Sequence, residues 1–295
     1  MPWHDSAGRV SPFKLAVFLL LFIPAAVIAA RYLGGSLGPR PLNEAVHQLG
    51  NWTLKLVLIS LAVTPSRSLL QWPRLMQVRR MVGVAAFVYA AAHLTLYAAD
   101  EAFDLGKVAT EIVLRIYLTI GFAALLILVA MAATSTNGMV RRLGGRRWRR
   151  LHRLVYVAAL LGVVHFFMQV KANVDEPWVM AGLFAWLMGY RALLWFGPSG
   201  GRLAAWAPTL LAVLAAAGTA LGEALYYWLK LGAPSTRVLA ANLSLDAGLR
   251  PACIVLAICL AVAALATLRR LFVRFGPLLR GNAARVSLRG DAASR

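Results

Sequence analysis

Acidic residues are scarce in this sequence: 11 Asp and Glu stand against 31 Lys and Arg in 295 residues. Charge of either sign is thin as well, at 14%, where soluble domains average about a quarter. With 60% of residues hydrophobic, the chain reads as a polytopic membrane protein rather than a soluble domain. There is no P-loop and no GxGxxG, so the usual phosphate-cradling turns are excluded. Cysteine is nearly absent. Cys253 and Cys259 share one apolar run and, at ~9 Å apart along a helix, cannot pair with each other. No CxxCH occurs, which excludes covalent c-type heme attachment. The net charge of +20 would suit a nucleic-acid partner, but such proteins cluster their basic residues on one face of a soluble fold. Here the basic residues lie between apolar runs, so the charge is a topology signal and no nucleic acid is expected.

What is abundant is helix-length apolar sequence. A bilayer-crossing helix needs ~20 mainly apolar residues, and eight candidates emerge: 13–30, 52–64, 81–99, 113–133, 154–170, 178–196, 204–222 and 251–268. The second is bounded by Pro65, although it can begin as early as His47. The expected fold is therefore an all-α integral membrane protein. Residues 12–196 form a six-helix core, "GPSGGRL" at 197–203 is a linker, and 197–295 is an extension with two further helices and a basic tail. The first span resembles a signal peptide, but the spans that follow favour an uncleaved first helix. With both termini cytoplasmic, 22 of the 31 basic residues fall inside and nine of the 11 acidic residues outside, as the positive-inside rule requires. The tract "RRLGGRRWRRLHR" fits anionic membrane lipid.

Histidines carry the chemistry. His93 lies 13 residues after Arg80 and seven before Asp100; His165 lies 12 after Arg153 and six before Lys171. By helix rise each sits ~18–20 Å from the inner charges and ~9–10 Å from the outer ones. Both helices run outward, so the two imidazoles share one level. That suits a b-type heme between two helices, with an imidazole nitrogen on each side of the iron. Small residues beside them ("AAAH", Gly162) let a macrocycle approach. The competing reading, a satisfied packing histidine on each helix, accounts less well for two at matched depth; a proton relay would need intramembrane acids. His152 lies ~20 Å inward of His165 and ~140° around a straight helix, so sharing its face requires a bend. No histidine opposes it on the third span, where Arg79 and Arg80 stand, suited to a propionate or an anionic headgroup. His152 is a candidate for a second heme, a heme edge, a quinone or a flavin, or is an interfacial histidine. His47 can reach a heme edge or a quinone, or simply opens its helix. His4 is incidental.

Several ordered motifs resemble a known family: "HQLGNWTLKLVLISLAVTPSR", "RRMVGVAAFVYAAAHLTLY", "GKVATEIVLRIYLTIG", "ATSTNGMVRRLG" and "WRRLHRLVYVAALLGVVHFFMQVK". They look like the MsrQ family (also called YedZ), in the ferric-reductase-like transmembrane superfamily, over roughly residues 12–196. The resemblance implies heme b in the bacterial inner membrane. Electrons would pass from the quinone pool or a cytoplasmic flavin reductase to a periplasmic molybdenum-containing methionine sulfoxide reductase subunit, which repairs oxidised proteins. FMN is associated with the family. Its heme histidines carry over to His93 and His165, and an additional histidine to His152. The family's Arg-Pro-Tyr reads Arg115-Ile116-Tyr117 here, and residues 197–295 are extra. On this reading the chain is an electron-transfer subunit and not the catalytic one. The alternatives are a non-redox transporter, which would show repeated halves or broken helices, and a plain membrane anchor.

Overall fold

The computed structural model describes residues 3–4, 8–170, 173–196, 204, 206–244 and 248–293, with side chains described as far as Phe272. Lys171, Arg202 and the linker expected at 197–203 lie outside the described residues. Twelve α-helices account for nearly all of the described chain. They are α1 (Pro12–Leu20), α2 (Ile23–Leu33), α3 (Pro41–Leu69), α4 (Arg79–Asp100), α5 (Leu105–Leu114), α6 (Ile116–Ala133), α7 (Asn137–His152), α8 (Val155–Gln169), α9 (Asp175–Phe196), α10 (Ala207–Leu231), α11 (Ser235–Leu243) and α12 (Pro251–Ala293).

Among the described residues seven helical stretches are long and apolar enough to cross a membrane, with α1 and α2 counted together and α7 with α8. This is a multi-pass membrane protein. The sequence suggested eight spans; the one not among the seven is α3, which holds the expected 52–64 segment. Its 29 residues are long enough, but its first half carries Glu44, His47, Gln48, Asn51 and Lys55. A helix inside a bundle need not be apolar all round when one face borders a cavity. Twelve α3 residues are buried, and α3 packs on α4, α8, α9 and α2, so it is the central post of the bundle.

Helix breaks have identifiable causes. Between α1 and α2 the hydroxyl of Tyr89 inserts into the helical ladder: it donates to the Leu21 carbonyl at 2.7 Å and accepts from the Ala25 amide at 3.0 Å. Those two groups would otherwise bond each other, and such an insertion kinks a helix. Pro65 was expected to end its helix. It does not: α3 runs on to Leu69. A helical proline removes the bond to the carbonyl four residues earlier, here Leu61. That carbonyl is instead taken by the Arg191 guanidinium at 2.6 Å, which also donates to Leu187 O and to the Tyr156 hydroxyl.

The expected span 113–133 is divided: α5 and α6 meet at Arg115, whose φ of −104° and ψ of 104° are extended. Ile116 in place of proline therefore does not prevent the break. The last two spans begin at Ala207 and Pro251 and run further than expected. The extension packs against α9, through both α10 and α12.

Candidate functional site

Two helix pairs build the site. α4 packs on α3 and α8 packs on α6, while α4 also touches α6. His93 on α4 places its Nδ1 2.7 Å from the carbonyl oxygen of Val46 on α3. His165 on α8 places its Nδ1 2.7 Å from the carbonyl oxygen of Tyr117 on α6. A carbonyl only accepts, so each Nδ1 carries the proton and donates it. Each Nε2 is then left with an available lone pair, the state in which neutral imidazole ligates a metal.

The two cradles follow the same rule. Four residues after Val46 comes Gly50, where an added Cβ would lie 3.0 Å from His93 Cε1. Four residues after Tyr117 comes Gly121, where an added Cβ would lie 2.7 Å from His165 Nδ1. On each supporting helix the ring lies across one turn. A glycine at the far end of that turn lets the ring come close enough to reach the carbonyl at the near end. Sequence reasoning missed both glycines; it pointed to Gly162, which lines the same cavity as the two histidines. The signal was present: a Gly on a neighbouring span, a full turn after the carbonyl it serves, marks close approach.

The two rings meet across the bundle, with centroids 6.4 Å apart and planes at 87°. They line a cavity of about 430 Å³. Its walls are apolar, including Leu54, Leu125, Leu128 and Phe166, and its rim is polar, with Glu44, His47, Asn51 and Glu176. Two imidazoles on opposite sides of one metal, each about 2 Å from it through nitrogen, have ring centres about 6 Å apart, close to the separation found. Among the described residues no group of three or more His, Cys, Asp or Glu is arranged to hold a metal ion. The donor set is thus two imidazoles with centroids 6.4 Å apart in an apolar slot, which fits a group that brings its own equatorial ligands.

His152 stands elsewhere. It is the last residue of α7, and a two-residue turn, Arg153–Leu154, precedes α8. His152 does not border the cavity. Its ring stacks on Trp148 at 3.9 Å, its Nδ1 lies 3.2 Å from Trp148 O, and its Nε2 is buried without a hydrogen-bond partner. Arg79 and Arg80 are its charged neighbours, and Arg80 also donates to Asn137 Oδ1 at 2.7 Å. The structure therefore groups His152 with Arg79 and Arg80 and brings no second histidine to it. His47, by contrast, shares the cavity with His93 and His165.

Residues 49–163 match the family described as "Ferric reductase like transmembrane component". Curated relatives named "Protein-methionine-sulfoxide reductase heme-binding subunit MsrQ" cover most of the core. The protein of Rhodospirillum rubrum is 48% identical over 189 residues, which is 64% of this chain and 88% of the relative. That of Caulobacter vibrioides is 41% identical over 182 residues, 61% of this chain and 86% of the relative. That of Herminiimonas arsenicoxydans is 38% identical over 191 residues, 64% and 88% respectively. No solved structure matches. Identity at this level across nearly the full length of these relatives shows that the chain belongs to the MsrQ family.

Proposed function

We propose that this protein is the heme-binding electron-transfer subunit of a methionine sulfoxide reductase system, with heme b held between His93 and His165. The observation that carries the reading is the matched pair of cradles. Val46 with Gly50, and Tyr117 with Gly121, each fix an imidazole tautomer and aim the rings at one another across an apolar cavity. Outer hydrogen bonds of this kind orient a ligating histidine and raise its basicity. A transporter or a plain anchor gives no reason for two such cradles.

Bound heme supplies one-electron Fe(III)/Fe(II) chemistry. The chain's own residues do the rest. Val46 and Tyr117 carbonyls hold the Nδ1 protons, Leu54, Leu125 and Phe166 exclude water, and the polar rim leaves one side of the cavity accessible. His152, with Arg79 and Arg80, is the candidate relay on the other side, toward a quinone, an FMN or a second heme. The donor on this reading is the quinone pool or a cytoplasmic flavin reductase. The acceptor is a periplasmic molybdenum-containing reductase subunit that repairs oxidised methionines in proteins. The setting is the bacterial inner membrane, with both termini cytoplasmic, residues 12–196 as the heme-binding core and 197–295 as an added unit. This chain carries electrons and leaves catalysis to its partner.

A pyridine hemochrome measurement on the purified protein tests the reading. One or two b-type hemes per chain are expected, and a preparation without a Soret band would reject it.

A further inference from the structure

The match to the Rhodospirillum rubrum relative covers 64% of this chain and 88% of the relative. We infer that Arg250, anchored by Glu223, positions the rim of the histidine cavity through Asp175 at the start of α9.

The anchor lies in the extension. Glu223 on α10 has 0% of its surface exposed. A buried carboxylate is costly unless it is paired and hydrogen-bonded, and both oxygens are engaged. Oε1 accepts from Arg250 Nη2, and Oε2 accepts from Asn242 Nδ2 at 2.9 Å. This ties α10, α11 and the residue just before α12 together. Arg250 has a second arm: its Nη1 lies 3.9 Å from Asp175 Oδ1, an ion pair without a hydrogen bond.

The next residue reaches the cavity. Glu176 lines it, accepts from Asn51 Nδ2 and pairs with Lys55 Nζ at 3.1 Å. Both partners are on α3, and Asn51 directly follows Gly50, the residue against which the His93 ring leans. Packing runs in parallel with the charges. Trp178, in the first turn of α9, lies against Gly222, where an added Cβ would come 2.5 Å from its ring. Trp178 also meets Phe167, two residues past His165, at 4.9 Å. The first turn of α9 is therefore held between the extension on one side and, on the other, the α3 turn that supports His93 and the α8 turn that carries His165. Its predicted effect on bound heme rests on the function proposed above; the tie between Arg250 and the rim does not.

Asp175→Asn is the clean variant, because it removes the tie to Arg250 and leaves the buried Glu223–Arg250 pair in place. Two readouts are taken. Hydrogen–deuterium exchange of the first turn of α9 is measured in heme-free protein, and the electron paramagnetic resonance spectrum of the ferric low-spin heme is measured in heme-loaded protein. Exchange there should accelerate several-fold, while heme content stays at the wild-type value and the low-spin signal shifts or broadens. Glu176→Gln should give the same spectral change, and the double variant no more than either single one. Arg250→Lys, which keeps the charge, should accelerate exchange less than Asp175→Asn, and Gly222→Ala, pressing on Trp178, should accelerate it as well. Unchanged exchange in Asp175→Asn overturns the proposal. So does faster exchange with an unaltered spectrum, which would make the tie purely structural. A wild-type protein that takes up no heme would reject the proposed function instead, and the exchange result would still decide whether Arg250 holds the rim.

Discussion

The imidazole planes of His93 and His165 cross at 87° with their centroids 6.4 Å apart. Each ring is fixed independently, His93 by the Val46 carbonyl and His165 by the Tyr117 carbonyl, so neither is free to turn parallel to the other. Crossed axial imidazoles leave the iron d orbitals of a ferric heme nearly degenerate. The expected outcome is a strongly anisotropic low-spin electron paramagnetic resonance signal, in contrast to the rhombic signal of parallel imidazoles. A dominant high-spin signal, meaning an open axial position, would contradict bis-histidine ligation.

Removing either proposed ligand should then be decisive. His93→Ala or His165→Ala should abolish most bound heme, since neither ring has a nearby substitute on its own helix. His152→Ala should retain at least one heme, because its ring stacks on Trp148 away from the cavity. Heme content by hemochrome checks all three. Wild-type content in the first two would remove these residues from the site, and complete loss in the third would show the pairing to be wrong.

The cradle glycines make a sharper test than the two histidines. In Gly121→Ala the new methyl would lie 2.7 Å from His165 Nδ1, so the ring must move off the Tyr117 carbonyl. Overpacking of this kind costs about 1–3 kcal/mol. Reduced heme retention and a shifted Soret band are expected, with a milder version in Gly50→Ala, where the approach is 3.0 Å. Gly218→Ala serves as the control: its new methyl meets nothing within 4 Å, and alanine favours a helix interior over glycine by about 1 kcal/mol. Equal effects at all three positions would mean that the cradles are not special.

Hydropathy and charge made the membrane class and the all-α fold legible, because the bilayer forces span length and loop charge into the sequence itself; the family was legible in the ordered motifs that resemble it. The pairing of His93 with His165 was legible because helix rise turns residue counts into relative level, and the two ring centroids do lie 6.4 Å apart. What stayed hidden depends on neighbours. Pro65 looked like a helix end because its missing N–H is local, whereas the compensating Arg191 lies 130 residues away from Leu61. Tyr89 splits α1 from α2 by a contact across 68 residues. α3 did not read as a full-length core helix because Glu44, Asn51 and Lys55 face a cavity and an α9 carboxylate that only the packed bundle creates. Gly50 and Gly121 are unremarkable until the rings are placed against them.

The Pro65–Arg191 arrangement carries its own prediction. In Arg191→Leu the Leu61 carbonyl is left without the proline amide and without the guanidinium. A buried unsatisfied polar group costs about 1–3 kcal/mol. Thermal unfolding in detergent should show a loss of that order, and Pro65→Ala should relieve part of it by restoring a helical donor four residues after Leu61. A double-mutant cycle measures the coupling; strict additivity of the two changes would mean that Arg191 does not compensate for the proline.

The last prediction concerns the side on which electrons leave. If the N-terminus is cytoplasmic, Leu105, 68% exposed at the start of α5, faces outward, and the tract 141–150 faces inward with its six arginines. In a background lacking Cys253 and Cys259, Leu105→Cys should react with an impermeant thiol reagent added to whole spheroplasts, and Arg146→Cys should not. His93 is seven residues from Asp100 and 13 from Arg80, so by helix rise it is ~10 Å from one boundary and about twice that from the other. Glu44, His47, Asn51 and Glu176, which rim the cavity, would lie on the nearer side. Electron transfer weakens steeply with distance, so the shorter route leads outward, and the inner side needs a relay such as the one proposed at His152. Dithionite-reduced right-side-out vesicles should therefore be reoxidised by a soluble methionine sulfoxide reductase partner added outside, while inverted vesicles should not. Equal reoxidation from both faces, or none from the outer face with the partner present, would reject the outward route.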